Sequence, residues 1–215
     1  MIKAVIFDMD GIIIDSEPLW REAEKQVFKS IGYDFTDDMC KLTMGMRTTE
    51  VVEYWYQELK WTAPSINEVE NNILQTVHRL IIDKGEAMNG LYELLAYLKS
   101  KNITTALASS SHQFLIDAVV DKLNIKNDFN AIHSAEKLKY GKPHPEIFLQ
   151  TATALNVNPL NCLVIEDSIN GVIAAKAALM KVVAIPDEEQ KNNPKFLIAD
   201  YVLENLEAVK ALSII

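Results

Sequence analysis

Short runs of apolar, often β-branched residues alternate along most of the chain with segments whose apolar positions recur at helical spacing. The first pattern predicts strands, and the second predicts amphipathic helices. Strands are predicted over 3–7, 104–108, 131–134, 162–165 and 181–185, and helices over 90–101, 112–123, 145–155 and 169–179. Such alternation is typical of a Rossmann-like α/β fold, in which helices cover both faces of a parallel sheet.

Residues 16–86 interrupt this alternation and contain no convincing strand. Apolar residues recur there at helical spacing, and Ser65 and Glu68 have the spacing of a capping box at the start of one helix. We therefore predict two domains. An α/β core, which is the catalytic domain, comprises 1–15 and 87–215, and an all-helical cap domain over 16–86 is inserted after the first strand.

Composition places the chain among soluble globular proteins. Of its 215 residues, 49% are apolar and 24% are charged, and no stretch of about 18 uninterrupted apolar residues predicts a membrane span. The net charge of −9 repels polyanions, so nucleic acid is not expected as a partner. Cys40 and Cys162 are expected to be reduced thiols. We expect a cytoplasmic protein without a membrane partner, with a monomer as the default.

Polar side chains follow three of the predicted strands at the point where each strand ends. They are Asp8 and Asp10 after the first strand, Ser109, Ser110 and Ser111 after the second, and Glu166 and Asp167 after the fourth. The carboxyl ends of parallel strands lie at one edge of the sheet, where α/β folds bind ligands. We therefore expect these residues to converge in space although they are far apart in the sequence.

This set of residue types favours phosphate chemistry. Asp8 and Asp167 offer the hard oxygen ligands that Mg²⁺ prefers. A carboxylate and a phosphate dianion repel each other, and a metal ion together with a lysine and hydroxyl donors offsets that repulsion. Lys142, just before a predicted helix, is a candidate for the positive charge, and Ser109 is a candidate for the hydroxyl.

Four segments of the chain resemble the motifs of the haloacid dehalogenase superfamily in order and approximate spacing. They are DMDG at 8–11, Ser109 after a strand, Lys142 of GKPHPEIF, and IEDSINGV at 165–172. With the helical insertion, the chain resembles the small-capped branch, which includes β-phosphoglucomutases and sugar-phosphate phosphatases such as those for 2-deoxyglucose 6-phosphate and hexitol phosphates.

The resemblance implies a role for each acidic residue. Asp8 is expected to be the nucleophile that forms an aspartyl-phosphate. Asp10 is expected to protonate the leaving alcohol and then to activate water. Mg²⁺ is the implied cofactor, with Asp8, Asp167 and the backbone carbonyl of Asp10 as ligands, and with Glu166 near the metal or bound through water.

The phosphate-binding set is expected to comprise Ser109, Ser110 and Lys142. The serines are equally suited to cap the helix that follows them, and the two roles are compatible because helix N-termini also bind phosphate. Arg47, in the insertion, is a candidate for substrate contact, with a surface arginine as the alternative. For Glu17, the alternatives are substrate contact and a part in the link to the insertion.

Taken together, these residues predict a Mg²⁺-dependent phosphatase for a small sugar or sugar-alcohol phosphate. One alternative is a β-phosphoglucomutase-like phosphomutase. The resemblance weighs against it, because phosphomutases of this branch carry a histidine in the first cap helix where this chain has Trp20. The other alternative is a phosphosugar-binding sensor, which would have no need of an acid at position 10.

Overall fold

The computed structural model describes residues 1–43 and 46–215. The chain forms two compact units, one of Met1–Asp15 with Glu86–Ile215 and the other of Ser16–Gly85. The predicted insertion extended to residue 86. Glu86 lies instead in the first unit, where its carbonyl oxygen accepts a hydrogen bond from the Asp15 amide at 3.2 Å.

The first unit is built on a parallel six-stranded sheet in the order β3-β2-β1-β4-β5-β6. The strands are β1 Ala4–Phe7, β2 Thr104–Ser109, β3 Ala131–Ser134, β4 Cys162–Glu166, β5 Lys181–Ala184 and β6 Tyr201–Val202. The predicted Rossmann-like α/β fold and its first five strands are confirmed. The sixth was missed because two residues are too few to show the alternation that marks a strand.

Helices cover the sheet of the first unit. They are α5 Leu91–Ser100, α6 Gln113–Lys122, α7 Glu146–Ala154 and α8 Ile169–Ala177. Ala4 and Ile6 of β1 share a buried cluster with apolar residues of α7 and α8. Successive side chains of a strand point to opposite faces, so the fully buried Val5 and Phe7 face the other side of the sheet.

The second unit is helical, and the described residues between 16 and 85 contain no strand. Its helices are α1 Glu17–Ser30, α2 Asp37–Leu42, α3 Thr48–Leu59 and α4 Ile66–Lys84. The predicted capping box opens α4, where the Ser65 amide donates to Glu68 at 2.9 Å and the Glu68 amide donates back to Ser65 Oγ at 3.3 Å. Across the described residues, no helix combines the length and apolar character needed to cross a membrane.

Both cysteines are buried free thiols, as predicted. Cys40 lies in α2 and forms a hydrogen bond with Glu24 of α1, which is buried and has one carboxyl oxygen without a hydrogen-bond partner among the described residues. Burial raises the pKa of Glu24 to about 7, against the opposing effect of the Cys40 hydrogen bond. The helical unit therefore contains a carboxyl group that stays protonated at higher pH than an ordinary glutamate does.

The turn between β4 and α8 is built around the fully buried side chain of Glu166. Ser168 donates to Glu166 Oε2 from its amide at 3.0 Å and from its hydroxyl at 2.9 Å, and the same hydroxyl caps α8 by accepting from the Gly171 amide at 3.0 Å. A Cβ atom at Gly171 would lie 1.7 Å from Glu166 Oε1. The glycine therefore leaves the space that the carboxylate occupies.

We predict that Glu24→Gln flattens the dependence of stability on pH. The folded state raises the pKa of Glu24 from 4.5 to about 7, so it binds a proton more tightly than the unfolded state does. The free energy of unfolding of the wild type should therefore fall as pH rises through this window, by about 2–3 kcal/mol from this group, and the variant should lose that fall. Urea unfolding at pH 5 and pH 8 measures the difference.

The exposed Glu53 of α3 provides the matched control, because Glu53→Gln leaves the buried carboxyl in place. That control should keep the wild-type difference in unfolding free energy between the two pH values. A Glu24→Gln variant with the same difference as the wild type would show that Glu24 is not the group responsible.

We predict that Gly171→Ala destabilises the protein, although alanine is normally the better helix former by about 1 kcal/mol. The new methyl group would overlap the Glu166 carboxylate, which is held by surrounding hydrogen bonds and has no room to withdraw. We expect a loss of about 2–4 kcal/mol in the free energy of unfolding, measured by urea denaturation.

The control for this variant is Asn170→Ala, at an exposed position in the same turn of α8. It should change the free energy of unfolding by no more than about 0.5 kcal/mol. If Gly171→Ala is as stable as the wild type, the packing described for Glu166 is wrong.

Candidate active site

The carboxyl ends of the three central strands bring the predicted polar residues together. β1 lies between β2 and β4, so Asp8 follows the central strand, Ser109 ends one neighbour and Glu166 ends the other. The Asp8 amide donates to the Ile165 carbonyl at 3.0 Å, which continues the pairing of β1 with β4 by one residue. The strand order reverses direction at β1, as at the ligand sites of open α/β sheets.

Lys142 brings its ammonium group to this edge from the segment before α7. Its Nζ lies 2.5 Å from Asp8 Oδ1 and 2.6 Å from Glu166 Oε1, and it donates to the Ala108 carbonyl at 3.3 Å. The side chain is only 6% exposed. Burial opposes the charged form, but Asp8 and Glu166 outweigh this effect and raise the pKa of Lys142 above its ordinary value. The lysine is a permanent positive charge in the site.

Both carboxyl oxygens of Glu166 accept hydrogen bonds. Oε1 accepts from Lys142, and Oε2 accepts from Ser168. The segment before α8 therefore positions the Glu166 carboxylate, and this carboxylate fixes the position of the Lys142 ammonium. The pairing of Glu166 with Lys142 was not predicted, because no spacing in the sequence links the two residues.

Gly11 allows the loop after β1 to approach Asp167 closely. Gly11 has a φ of +72°, and a Cβ atom there would lie 2.3 Å from Asp167 Oδ2. The loop is also tightly packed: the Met9 carbonyl accepts from the amides of residues 12–14, and all three isoleucines of that run are fully buried. Glycine is required at position 11 both for its backbone conformation and for the missing side chain.

The site carries an excess of negative charge. Among the described residues, Asp8, Asp10, Glu166 and Asp167 are four carboxyl groups that interact with the ammonium of Lys142 or with one another. Burial raises the pKa of Asp8 to about 7, with Glu166 and Asp10 adding to the rise and Lys142 opposing it. Burial and the same acidic neighbours also raise the pKa of Asp167 well above its ordinary value.

Oxygen atoms of Asp8, Glu166 and Asp167 lie within 4.8 Å of one another. Carboxylate oxygens that crowd together without enough positive charge are the donor set that a small hard cation satisfies. The residues present therefore fit Mg²⁺, whose charge would offset the burial and the mutual repulsion that raise these pKa values.

Asp10 and the serines at the end of β2 are connected. Ser111 Oγ donates to Asp10 Oδ2 at 2.7 Å, and the Ser111 amide donates to Ser109 Oγ at 3.0 Å. Ser109 is buried, whereas Ser110 is exposed. Neither caps α6 through its side chain: the N-cap is His112, and the Gln113 amide donates to Glu136. The contact of Ser111 was missed, since nothing in a run of three serines marks which one reaches Asp10.

Arg47 and Glu17 belong to the helical unit. Arg47 precedes α3, where its amide donates to Glu50 at 3.0 Å, and its buried Nη2 has no hydrogen-bond partner among the described residues. Glu17 opens α1 and lies 3.8 Å from Arg21. Substrate contact by either residue stays a prediction.

Comparison with known proteins places this geometry in a family. The family model described as haloacid dehalogenase-like hydrolase matches residues 5–185. Hexitol phosphatase B of Escherichia coli K12 is 39% identical over 211 residues, covering 98% of this chain and 95% of the relative. β-Phosphoglucomutase of Bacillus subtilis is 34% identical over 190 residues, covering 86% and 83%.

A solved structure supports the fold independently. The crystal structure of CbbY from Rhodobacter sphaeroides in complex with phosphate superposes with a TM-score of 0.87 at 24% identity, covering 96% of this chain and 95% of that one. Fold, motifs and sequence similarity over nearly the full length agree. The chain is an enzyme of the haloacid dehalogenase-like hydrolase family, related in sequence to phosphatases and phosphomutases of sugar phosphates.

Proposed function

We propose that the protein is a Mg²⁺-dependent phosphomonoester hydrolase that acts on small sugar or sugar-alcohol phosphates through an aspartyl-phosphate on Asp8. The observation that carries this proposal is the buried Lys142, whose ammonium contacts Asp8 and Glu166 beside Asp167. A nucleophilic carboxylate needs positive charge beside it before a phosphate dianion can approach, and this arrangement supplies it.

In the first half-reaction, a carboxylate oxygen of Asp8 attacks phosphorus while the bond from phosphorus to the sugar oxygen breaks. Asp10 gives its proton to the departing oxygen, so the sugar leaves as a neutral alcohol. Lys142 and the hydroxyl of Ser109 bind phosphate oxygens, and Ser110 is proposed to assist. In the second half-reaction, Asp10 takes a proton from water, which attacks phosphorus and releases Asp8 and inorganic phosphate.

The metal site proposed here consists of Asp8, Asp167 and the backbone carbonyl of Asp10, with Glu166 beside it. When bound, Mg²⁺ would supply the positive charge that these carboxylates lack and would polarise the phosphate. Glu166 also orients Lys142, because one of its oxygens accepts from that ammonium. The domain roles follow: the unit with the sheet performs the chemistry, and the helical unit, with Arg47, contributes to substrate choice.

Sugar-alcohol phosphates are the first substrates to test, because the relative with 39% identity is named for hexitol phosphates. The phosphomutase alternative is supported by the β-phosphoglucomutase relative. Trp20, at the position where phosphomutases of this branch carry histidine, favours hydrolysis. A sensor without turnover is disfavoured because the acid at position 10 would serve no purpose in it. The expected monomeric state and cytoplasmic location stay predictions.

We predict Mg²⁺-dependent release of phosphate from at least one member of a panel of hexitol, hexose, pentose and triose phosphates. Asp8→Asn should lower kcat by more than about a thousandfold, because an amide cannot form the acyl-phosphate. Phosphate release measures activity, and circular dichroism verifies that the variant is folded.

Three results would contradict the proposal. Normal turnover by Asp8→Asn would exclude Asp8 as the nucleophile. Conversion of β-glucose 1-phosphate into glucose 6-phosphate without free phosphate would establish the phosphomutase instead. Tight binding of sugar phosphates with no phosphate released from any of them would indicate the sensor.

We predict that Mg²⁺ stabilises the protein in the absence of substrate. A cation bound only by the folded state should add about 2.7 kcal/mol to the free energy of unfolding when its concentration is a hundred times its Kd. Asp167→Asn should reduce this gain, since it removes one of the oxygen anions. Thermal unfolding with and without MgCl₂, at ionic strength matched with NaCl, measures the effect.

Asp121→Asn, in a solvent-exposed position of α6, is the matched control and should keep the full gain. An equal gain in Asp167→Asn and the wild type would contradict the proposed ligand set. An equal effect of NaCl and MgCl₂ would show screening of charge and not a bound ion.

A further inference from the structure

We propose that Ser111 is a positioning residue that aims the carboxyl group of Asp10 through both halves of the reaction. The inference rests on the proposed function, because it assigns a role in that reaction. It starts from one contact: Ser111 Oγ donates to Asp10 Oδ2 at 2.7 Å, across 101 positions of the sequence. The sequence places Ser111 in the run of serines after β2 but assigns it to neither the phosphate nor the metal.

The backbone of Ser111 is held on both sides. Its amide donates to Ser109 Oγ at 3.0 Å, and its carbonyl accepts from Ser134 Oγ at 2.6 Å. Ser109 and Ser134 end β2 and β3 and are register partners in the sheet. The position of the Ser111 side chain is therefore set by two strands, and that side chain connects them to the loop after β1.

Residues after β3 add further hydrogen bonds to the segment that contains Ser111. Ser134 Oγ, which donates to the Ser111 carbonyl, also accepts from the Glu136 amide at 3.0 Å. The Glu136 carboxylate in turn accepts from the Gln113 amide at 3.0 Å and lies 3.3 Å from the His112 ring. These contacts fix the backbone on both sides of Ser111, from which its hydroxyl reaches Asp10.

A hydroxyl is well suited to hold a group that alternates between acid and base. It donates to Oδ2 whether Asp10 is a carboxylate or carries its proton on Oδ1, because a protonated carboxyl group keeps an acceptor oxygen. Ser111 therefore holds the same oxygen of Asp10 in both halves of the reaction.

If Ser111 positions Asp10, its loss should affect alkyl phosphates and aryl phosphates differently. A sugar alkoxide is a poor leaving group, so breaking its bond to phosphorus depends on the proton that Asp10 supplies. The p-nitrophenolate of p-nitrophenyl phosphate leaves as a stable anion and needs no proton. Misaligning Asp10 should therefore slow the first half-reaction for a sugar phosphate far more than for the aryl phosphate.

The test measures kcat/KM of Ser111→Ala on the best alkyl phosphate of the panel and on p-nitrophenyl phosphate. For the alkyl phosphate, kcat/KM should fall about tenfold, chiefly through kcat, which is the effect of losing one hydrogen bond to a charged group. For the aryl phosphate it should fall less than about twofold, because kcat/KM reports the steps through formation of the aspartyl-phosphate.

Three further variants sharpen the result. Ser111→Thr keeps the hydroxyl and should recover alkyl phosphatase activity to within about threefold of the wild type. Ser134→Ala keeps Ser111 but removes the hydrogen bond to its carbonyl. It should show the same selectivity between the two substrates with a smaller loss of kcat/KM. Ser100→Ala is the matched control, since Ser100 is exposed at the end of α5, before β2 begins, and should leave both activities unchanged.

An equal loss on the two substrates, or a loss that lies in KM alone, would overturn the role of Ser111. The first would indicate general damage to the site, and the second would indicate phosphate binding. If Ser111→Ala is unfolded by circular dichroism, an absence of substrate selectivity in Ser134→Ala overturns the inference. A wild type inactive on every alkyl phosphate overturns the proposed function, and with it this role, whereas an active wild type with no selective loss overturns the role alone.

Discussion

The ion pairs of Lys142 are the interaction on which the rest of the site depends. Its buried ammonium lies 2.5 Å from Asp8 and 2.6 Å from Glu166, residues that end two neighbouring strands. Removing one partner from a buried pair leaves an uncompensated charge, which costs about 3–5 kcal/mol. The ends of β1 and β4 and the segment before α7 are therefore held in one arrangement. The turn around Glu166 keeps that carboxylate in place, because Ser168 donates a hydrogen bond to it and Gly171 has no side chain that would occupy its space.

One lysine does not balance four carboxyl groups, and this imbalance organises the chemistry. Asp8 and Asp167 have raised pKa values because burial and their acidic neighbours disfavour the charged forms. This excess of negative charge favours binding of a divalent cation, which would offset it. Asp10 is held differently, by the neutral hydroxyl of Ser111. Ion pairs and a neutral hydroxyl therefore both contribute to how the carboxyl groups of the site are held.

The helical unit has its own core and its own electrostatic feature. Phe28 stacks on Phe35 with ring centroids 3.8 Å apart, and Trp55 packs edge-on against Phe35 at 4.8 Å. The buried Glu24 is an acid that this core holds in its protonated form up to about neutral pH.

The sequence by itself determined the fold class, five of the six strands and the elements that carry Asp8, Asp10, Ser109, Lys142 and Asp167. These follow from local periodicity and from the rule that parallel strands end at one edge. Only the tertiary structure decided that Glu166 pairs with Lys142, that Gly171 makes room for it, and that Ser111 is the serine that reaches Asp10. The physical reason is that hydrogen bonds and ion pairs between distant residues depend on side-chain directions within about an ångström, whereas periodicity records only which face of an element is buried.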